Sequence, residues 1–388
     1  MRRRNHTKRS SKLGKIETLR VRETGSKALR GKLWAVALVV VTGSLLAACS
    51  SRSNSSAPAK GSGSTSTSPA SSKATNSVVP LVFYNGKNYL PGTAKAFQKA
   101  TGIPTKEVSG PTGQLLARIE AQKENPHWGV FWSDGAAAYA ALDEQHMLVR
   151  GFEPDTGKLT ALGRKLVPAD KSYIPTAVTI AGAIVYNPSV VSDPPTSFTQ
   201  LTEPKWKGAV GMNNPAISGP TYTAVAGIMN QLGGIKQGEA FFKKLAANGL
   251  HVYTTNKVTL GALLHGQIKL AIVQNNAGIE LSEKYPQLKV EYPKDATILP
   301  SVIGIDAKAP KAEIAEAKRF AEFVYSPAGQ AIMQKVNPYG GWPIIKGVEK
   351  APLFPSLSSL PIQLIRARYW GSKEAEINQW FTANIVNS

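Results

Sequence analysis

Between Val78 and Gln145 an apolar strand, a polar turn and a helix follow one another three times, and no other feature constrains the fold as tightly. The run Val78–Tyr84 reads as a buried strand stopped by Asn85-Gly86. Pro91–Thr101 has Ala94, Phe97 and Ala100 at helical spacing and closes at Gly102. Pro104–Val108 is the second strand, Ser109–Gly113 its turn and Gln114–Lys123 its helix. Val130–Trp132 is the third strand, cut by Ser133-Asp134-Gly135 before the helix Ala136–Gln145. Such a succession predicts a parallel sheet covered by helices. The ligand crevice of such a sheet lies beyond the carboxyl ends of its strands. Three polar loops therefore converge on one edge: residues 85–88, 109–113 and 133–135.

A second unit follows. Ala177–Tyr186 reads as a strand long enough to run between two lobes, and Trp206–Met212 as another, ending in the polar stretch Asn213–Gly219. The helix Tyr222–Leu232 begins after Ser218-Gly219-Pro220. Further on come a helix over 241–247, a strand Val252–Thr255, a helix Val258–His265 and a strand Leu270–Val273 stopped by Gln274-Asn275-Asn276. Ser301–Ile305 returns as a strand before the amphipathic helix Ala312–Tyr325. No internal repeat of fixed period is present. About 310 ordered residues suit two lobes better than one core.

Charge points to partners only after it is divided. The formal charge is +21, but residues 1–48 hold 12 of the 46 Lys and Arg with only Glu17 and Glu23 against them. The remainder shows no basic stretch interleaved with aromatics, so a nucleic-acid partner is not expected. The basic leader runs to Lys32 and is followed by the apolar run Leu33–Val41 and by Leu45-Leu46-Ala47-Ala48-Cys49, the pattern of an export signal. The apolar stretch is shorter than the roughly 20 residues a spanning helix needs. Cys49 is the one cysteine of the chain, which excludes an internal disulfide and a cysteine-rich metal site. Small residues before Cys49 resemble a bacterial lipobox, which implies acylation of Cys49. The Ser-rich segment from Ser50 to Ser77 has no large apolar residue and reads as a flexible tether.

Enzyme patterns are missing from the folded part: no HExxH, GxxxxGK[ST] or GxSxG occurs. Asp143 and Glu144 are adjacent on a helix and diverge, as expected of a solvated face rather than a carboxylate pair. His127, His146, His251 and His265 lack ligand spacing. No catalytic residue, metal site or cofactor is expected.

Several motifs in order carry a resemblance. A strand ending in Tyr84-Asn85-Gly86, a helix ending Phe97-x-x-x-Thr101-Gly102-Ile103, the stretch Pro204–Gly208, Asn214–Gly219 and the run Ala317–Gln330 together resemble bacterial periplasmic-type solute-binding proteins of ABC transporters. The chain is most similar to the ferric-ion, aminoethylphosphonate and sugar-phosphate binders. The resemblance implies an α/β, two-lobed periplasmic-binding-protein-like fold (type II), each lobe a mostly parallel sheet flanked by helices, with a two-strand hinge. It implies residues 1–48 as signal peptide, 49–77 as tether, 78–181 with 298–388 as lobe 1, and 182–297 as lobe 2. The hinge is expected near Thr179–Ile184 and Thr297–Val302. The implied function is delivery of a small solute to an ABC permease by a monomer held outside the cytoplasm through lipid on Cys49, an exported hydrolase being a distant alternative.

The resemblance also implies a ligand set. The tyrosines that ferric binders carry after the strand ending Gln274-Asn275-Asn276 are here Ala277 and Gly278, which demotes iron. Tyr84, Tyr89, Tyr173 and Tyr222 are left as donors for iron in a different arrangement. Ser218, Gly219 and Thr221 open a helix and suit an anion, although Pro220 removes one donor. Asn256 and Asn275 match anion-contacting positions, and Asn85, Asn88, Thr112, Ser133 and Asp134 come from the three loops of the first lobe. Asp134 faces the anion and so suggests an ammonium on the ligand, with Trp132 or Tyr89 stacking on it; a capping role for the helix at Ala136 is the alternative. The expected solute is anionic or zwitterionic, bearing a phosphonate or phosphate.

Overall fold

The computed structural model describes residues 79–387. The leader, Cys49 and the Ser-rich tether lie outside the described residues. Strands and helices β1 (Leu81–Asn85), α1 (Leu90–Thr101), β2 (Thr105–Ser109), α2 (Thr112–Ala121), β3 (Val130–Asp134) and α3 (Ala136–Glu144) form the three strand–loop–helix units. Strand β1 pairs in parallel with both β2 and β3. Helix α1 shows why these segments fold as they do. Leu90, Ala94 and Phe97 bury one face, Pro91 sits in the first turn, and Gly102 ends the helix in a left-handed conformation at φ 75°.

After α4 (Ala161–Leu166), β4 (Ile174–Ala181) is buried along its whole length. It leads into β5 (Ala183–Tyr186), β6 (Val210–Asn213), α5 (Gly219–Gln231), α6 (Ile235–Ala247), β7 (His251–Tyr253), α7 (Asn256–Leu264), β8 (Leu270–Val273), α8 (Asn275–Lys284) and β9 (Lys289–Glu291). The chain then returns through β10 (Ala296–Ile305), α9 (Lys311–Tyr325), α10 (Pro327–Val336), β11 (Trp342–Pro343), β12 (Ile362–Gln363), α11 (Ala367–Gly371) and α12 (Glu374–Phe381).

Two sheets result. The first runs β11-β4-β10-β3-β1-β2 with β12 beside β10, and the second runs β7-β6-β8-β5-β9. Parallel pairs hold the strand–loop–helix units, whereas the strands that pass between lobes, β4, β10, β5 and β9, make antiparallel pairs. One crossing is Gly182, at φ 83° between β4 and β5, where a Cβ would lie 3.0 Å from the Phe198 ring. The sequence read Ala177–Tyr186 as one strand; this glycine splits it between the two sheets. The return crossing lies between β9 and β10, with Asp295 at φ 61°. It precedes the expected Thr297–Val302, because Thr297 and Val302 are already paired with Ala181 and Pro175 of β4.

Each sheet has its own core. In the first, Phe320 of α9 lies 4.7 Å from Phe83, 5.2 Å from Phe97 and 5.5 Å from Trp132 between ring centroids. Burying each such ring contributes about 1.5–3 kcal/mol. The second core gathers Met212, Tyr222, Met229 and Phe242, and it also takes in Trp370, Ile377, Phe381 and Ile385 from the C-terminus. Those C-terminal residues were grouped by sequence with lobe 1. Their apolar side chains instead cover the second lobe, with Phe381 5.2 Å from Phe242. Asp143, expected on a solvated face, is buried and takes Arg150 at 2.7 Å and Arg368 at 3.0 Å. Among the described residues no helix is long and apolar enough to cross a membrane.

Candidate functional site

A cleft of about 820 Å³ opens where the carboxyl ends of both sheets face one another, and Gly86, Lys87, Thr112, Asp134, Asn213, Ser218, Asn256 and Gln274 line it. First turns of four helices reach its wall: Thr112 of α2, Pro220 of α5, Asn256 and Lys257 of α7, and Asn276 and Ala277 of α8. The first amides of a helix have no intrahelical partner, and although Ser218 takes the Thr221 amide, Ile217 the Gly113 amide and Pro220 has none, the macrodipole is positive at these turns and favours negative charge. This convergence is a consequence of topology, since every helix here follows a loop leaving a strand's carboxyl end.

The floor holds a buried ion pair. The Lys87 ammonium lies 2.6 and 2.7 Å from the two carboxylate oxygens of Asp134. It also sits 4.9 Å from the centre of the Tyr89 ring. Burial alone would push the ammonium pKa down, but Asp134 and Tyr89 more than offset it and the pKa ends raised. From the other lobe the Gln274 carboxamide donates to Asp134 Oδ2 at 3.0 Å and to Thr179 at 2.9 Å. Asp134 therefore does not cap α3; Gly135 occupies the cap position with no side-chain bond. The ammonium that sequence reasoning assigned to a ligand is supplied by the chain itself, from a lysine that reasoning passed over.

The other candidate residues divide. Asn88, Thr112, Asp134, Ser218 and Asn256 line the cleft. Thr112 shares a hydrogen bond of 2.7 Å with Ser133, which is itself fully buried behind it. Gly219 packs against this pair, and a Cβ there would come within 2.8 Å of the Thr112 methyl. Ser218 caps α5, its hydroxyl oxygen accepting from the Thr221 amide at 3.4 Å and the Thr221 hydroxyl at 3.0 Å. Asn256 accepts from the Asn213 carboxamide at 2.6 Å.

Asn85 and Asn275 do not reach the cleft wall. The Asn85 oxygen accepts the Lys87 amide at 2.6 Å while its nitrogen donates to Glu107 at 2.5 Å, so it shapes the loop that carries Lys87. Asn275 accepts from the Ile180 amide at 2.8 Å and donates to Tyr292 at 3.3 Å, which places it at the hinge strands.

Charge along the wall balances to a small positive excess. Lys87 is paired with Asp134 and Lys284 with Glu280 at 3.2 Å, whereas Lys257 has no ion-pair partner among the described residues. The phenols of Tyr84, Tyr89, Tyr173 and Tyr222 are buried in the cores and none lines the cleft. Burial pushes the pKa of Tyr89, Tyr173 and Tyr222 up, which keeps them neutral. Trp132 donates to Thr176 and Ser301 and faces the first core.

The family of bacterial extracellular solute-binding proteins matches residues 92–361. The chain belongs to this family. It is 23% identical over 249 residues to the Salmonella typhimurium protein named "Putative 2-aminoethylphosphonate-binding periplasmic protein", covering 62% of this chain and 70% of that one. It is 27% identical over 286 residues to the major ferric iron-binding protein of Neisseria meningitidis, covering 69% and 82%. Among solved structures, AfuA of Actinobacillus pleuropneumoniae with fructose-6-phosphate bound superposes with a TM-score of 0.70 at 21% identity, over 80% of this chain and 99% of that one. Iron-bound HitA of Pseudomonas aeruginosa gives 0.68 at 22% identity, over 78% and 98%. The fold is that of the two-lobed periplasmic binding proteins, and members of this family bind solutes for transport and are not enzymes.

Proposed function

We propose that this solute-binding protein captures a small anionic solute carrying a phosphonate or phosphate and presents it to an ABC permease. The observation that carries this reading is the convergence of four helix starts on a cleft whose carboxylates are already ion-paired. An anionic head held there meets amide dipoles and the unpaired Lys257 instead of a bare carboxylate. Left unpaired, Asp134 would repel it by about 4 kcal/mol per unit charge at about 4 Å and an effective dielectric of about 20. The sugar phosphate in AfuA is a solute of this class, and the 2-aminoethylphosphonate named for the Salmonella relative shares the phosphonate head.

Binding would bridge the lobes and favour the form in which they touch, with Gly182 and the segment before β10 as the hinge. We propose further that the protein acts as a monomer and is held at the membrane through lipid on Cys49. Cys49→Ala should then release it to the soluble fraction.

Iron is the weaker reading. A ferric ion asks for several anionic oxygens, yet Ala277 lines the cleft where a phenolate would be needed. Gly278 packs so closely that a Cβ would lie 2.6 Å from Val185. A thermal-shift panel of ethylphosphonate, 2-aminoethylphosphonate, fructose 6-phosphate, inorganic phosphate and ferric citrate decides between them. A solute at 100 times its Kd adds about 2.7 kcal/mol of stability. The largest rise in Tm should come from a phosphonate or phosphate ester; a larger rise with ferric citrate would overturn the reading.

A further inference from the structure

At the cleft floor lie the parts of an ammonium pocket: the buried carboxylate of Asp134, which lines the cleft, and behind it, in the core, the face of the Tyr89 ring. The chain fills that pocket itself. The Lys87 ammonium lies 2.6 and 2.7 Å from the Asp134 oxygens and 4.9 Å from the Tyr89 centroid, and Lys87 is 6% exposed. Nothing about this arrangement is loose. Asn85 holds the Lys87 amide at 2.6 Å, Ser301 holds the Tyr89 hydroxyl at 2.6 Å, and Gln274 donates to Asp134 from the opposite lobe at 3.0 Å.

We propose that Lys87 is the specificity-determining residue of the cleft, a built-in counter-cation that occupies the cation position and so selects anions without an ammonium over zwitterions and free cations. The proposal rests on reading the cleft as the solute site. Two of the three ammonium protons go to Asp134, so the carboxylate presents no free charge to an entering anion. An ammonium-bearing solute would have to dislodge Lys87 or accept a cation as neighbour. Either costs affinity that the solute without the amine keeps.

Ethylphosphonate and 2-aminoethylphosphonate share a head group and differ by one ammonium, so their affinity ratio reads the proposal by calorimetry. The wild type should bind ethylphosphonate at least as tightly. Lys87→Ala vacates the pocket and should move the ratio tenfold or more toward 2-aminoethylphosphonate. An unchanged ratio in Lys87→Ala, or a tenfold wild-type preference for the amine, would overturn it.

A second arm needs no transported solute. Ethylammonium chloride should restore the Tm of Lys87→Ala toward wild type and leave the Lys87→Ala/Asp134→Asn double variant unmoved. Equal shifts in all three proteins would sink the pocket. If neither phosphonate binds but the rescue holds, the solute class of the proposed function has failed and the counter-cation has not. Lys87→Met keeps the packed stem should the alanine variant not fold. It bares Asp134 and should weaken ethylphosphonate at least tenfold, with most of that loss recovered when Asp134→Asn is added. Failure of that recovery also counts against the proposal.

Discussion

The backbone amide of Gly113 donates to the carbonyl of Ile217 at 3.1 Å, joining the start of α2 in one lobe to the loop before α5 in the other. A Cβ at Gly113 would lie 2.1 Å from the Ala216 carbonyl oxygen, so only glycine allows this approach. Gly113→Ala must hold the lobes apart while leaving both cores intact. Solute binding should weaken at least tenfold, about 1.4 kcal/mol, and scattering with excess solute should give a larger radius of gyration than for wild type. An unchanged radius and affinity would mean that the contact has no part in closure.

Gln274 ties the lobes through the Asp134 carboxylate. A hydrogen bond to a charged group is worth about 1.5–3 kcal/mol, and this one spans the cleft at 3.0 Å. Gln274→Ala should lower solute affinity by roughly that amount in calorimetry. Affinity within a factor of two of wild type would show that the bond forms equally in the open and closed forms.

Gly182 takes the left-handed backbone that lets β4 change sheets, at φ 83° and against the Phe198 ring. Gly182→Ala should lower the free energy of unfolding by about 1–2 kcal/mol, read as a drop in the denaturant midpoint. A midpoint equal to wild type would show that the crossing relaxes at no cost.

Local runs of the chain display part of this arrangement. Strands β1, β3 and β8 announce themselves as apolar runs cut by polar turns, and Thr112, Asp134, Ser218 and Asn256 fall on the cleft because strand ends do. Lys87 gave no such signal. A lysine in a polar loop reads as solvated, and its burial depends on Asp134 and Tyr89, which are brought to it by the pairing of β1 with β3 and the docking of α1. Asn275 misled for the opposite reason: it follows a buried strand, yet its carboxamide turns to the Ile180 amide at the hinge. Asp143 looked solvated because one of its two arginine partners, Arg368, lies far along the chain; the other, Arg150, is near. In all three a partner distant in sequence completes the environment, and local pattern does not display it.

The second lobe has a titrating group at its edge. Burial raises the Glu374 carboxyl from 4.5 to about 8, and its Oε2 has no hydrogen-bond partner among the described residues. Between those values the folded state holds a proton that the unfolded state has released. The contribution of Glu374 to stability is therefore greatest at or below about pH 4.5, falls as the pH rises, and levels off above about 8. Glu374→Gln mimics the neutral form and should gain Tm relative to wild type on going from about pH 5 to about pH 8. Parallel Tm profiles for the two proteins would contradict this origin of the shift.

An anionic head bound at the helix starts would occupy a cleft whose cation is the protein's own. A crystal structure of the protein grown with the tightest-binding phosphonate or phosphate ester would locate both groups. The tetrahedral head should lie within hydrogen-bond reach of the first turns of α5 and α7, with Lys87 still paired to Asp134. A solute bound elsewhere, or a ligand cation on Asp134 with Lys87 turned away, would contradict it.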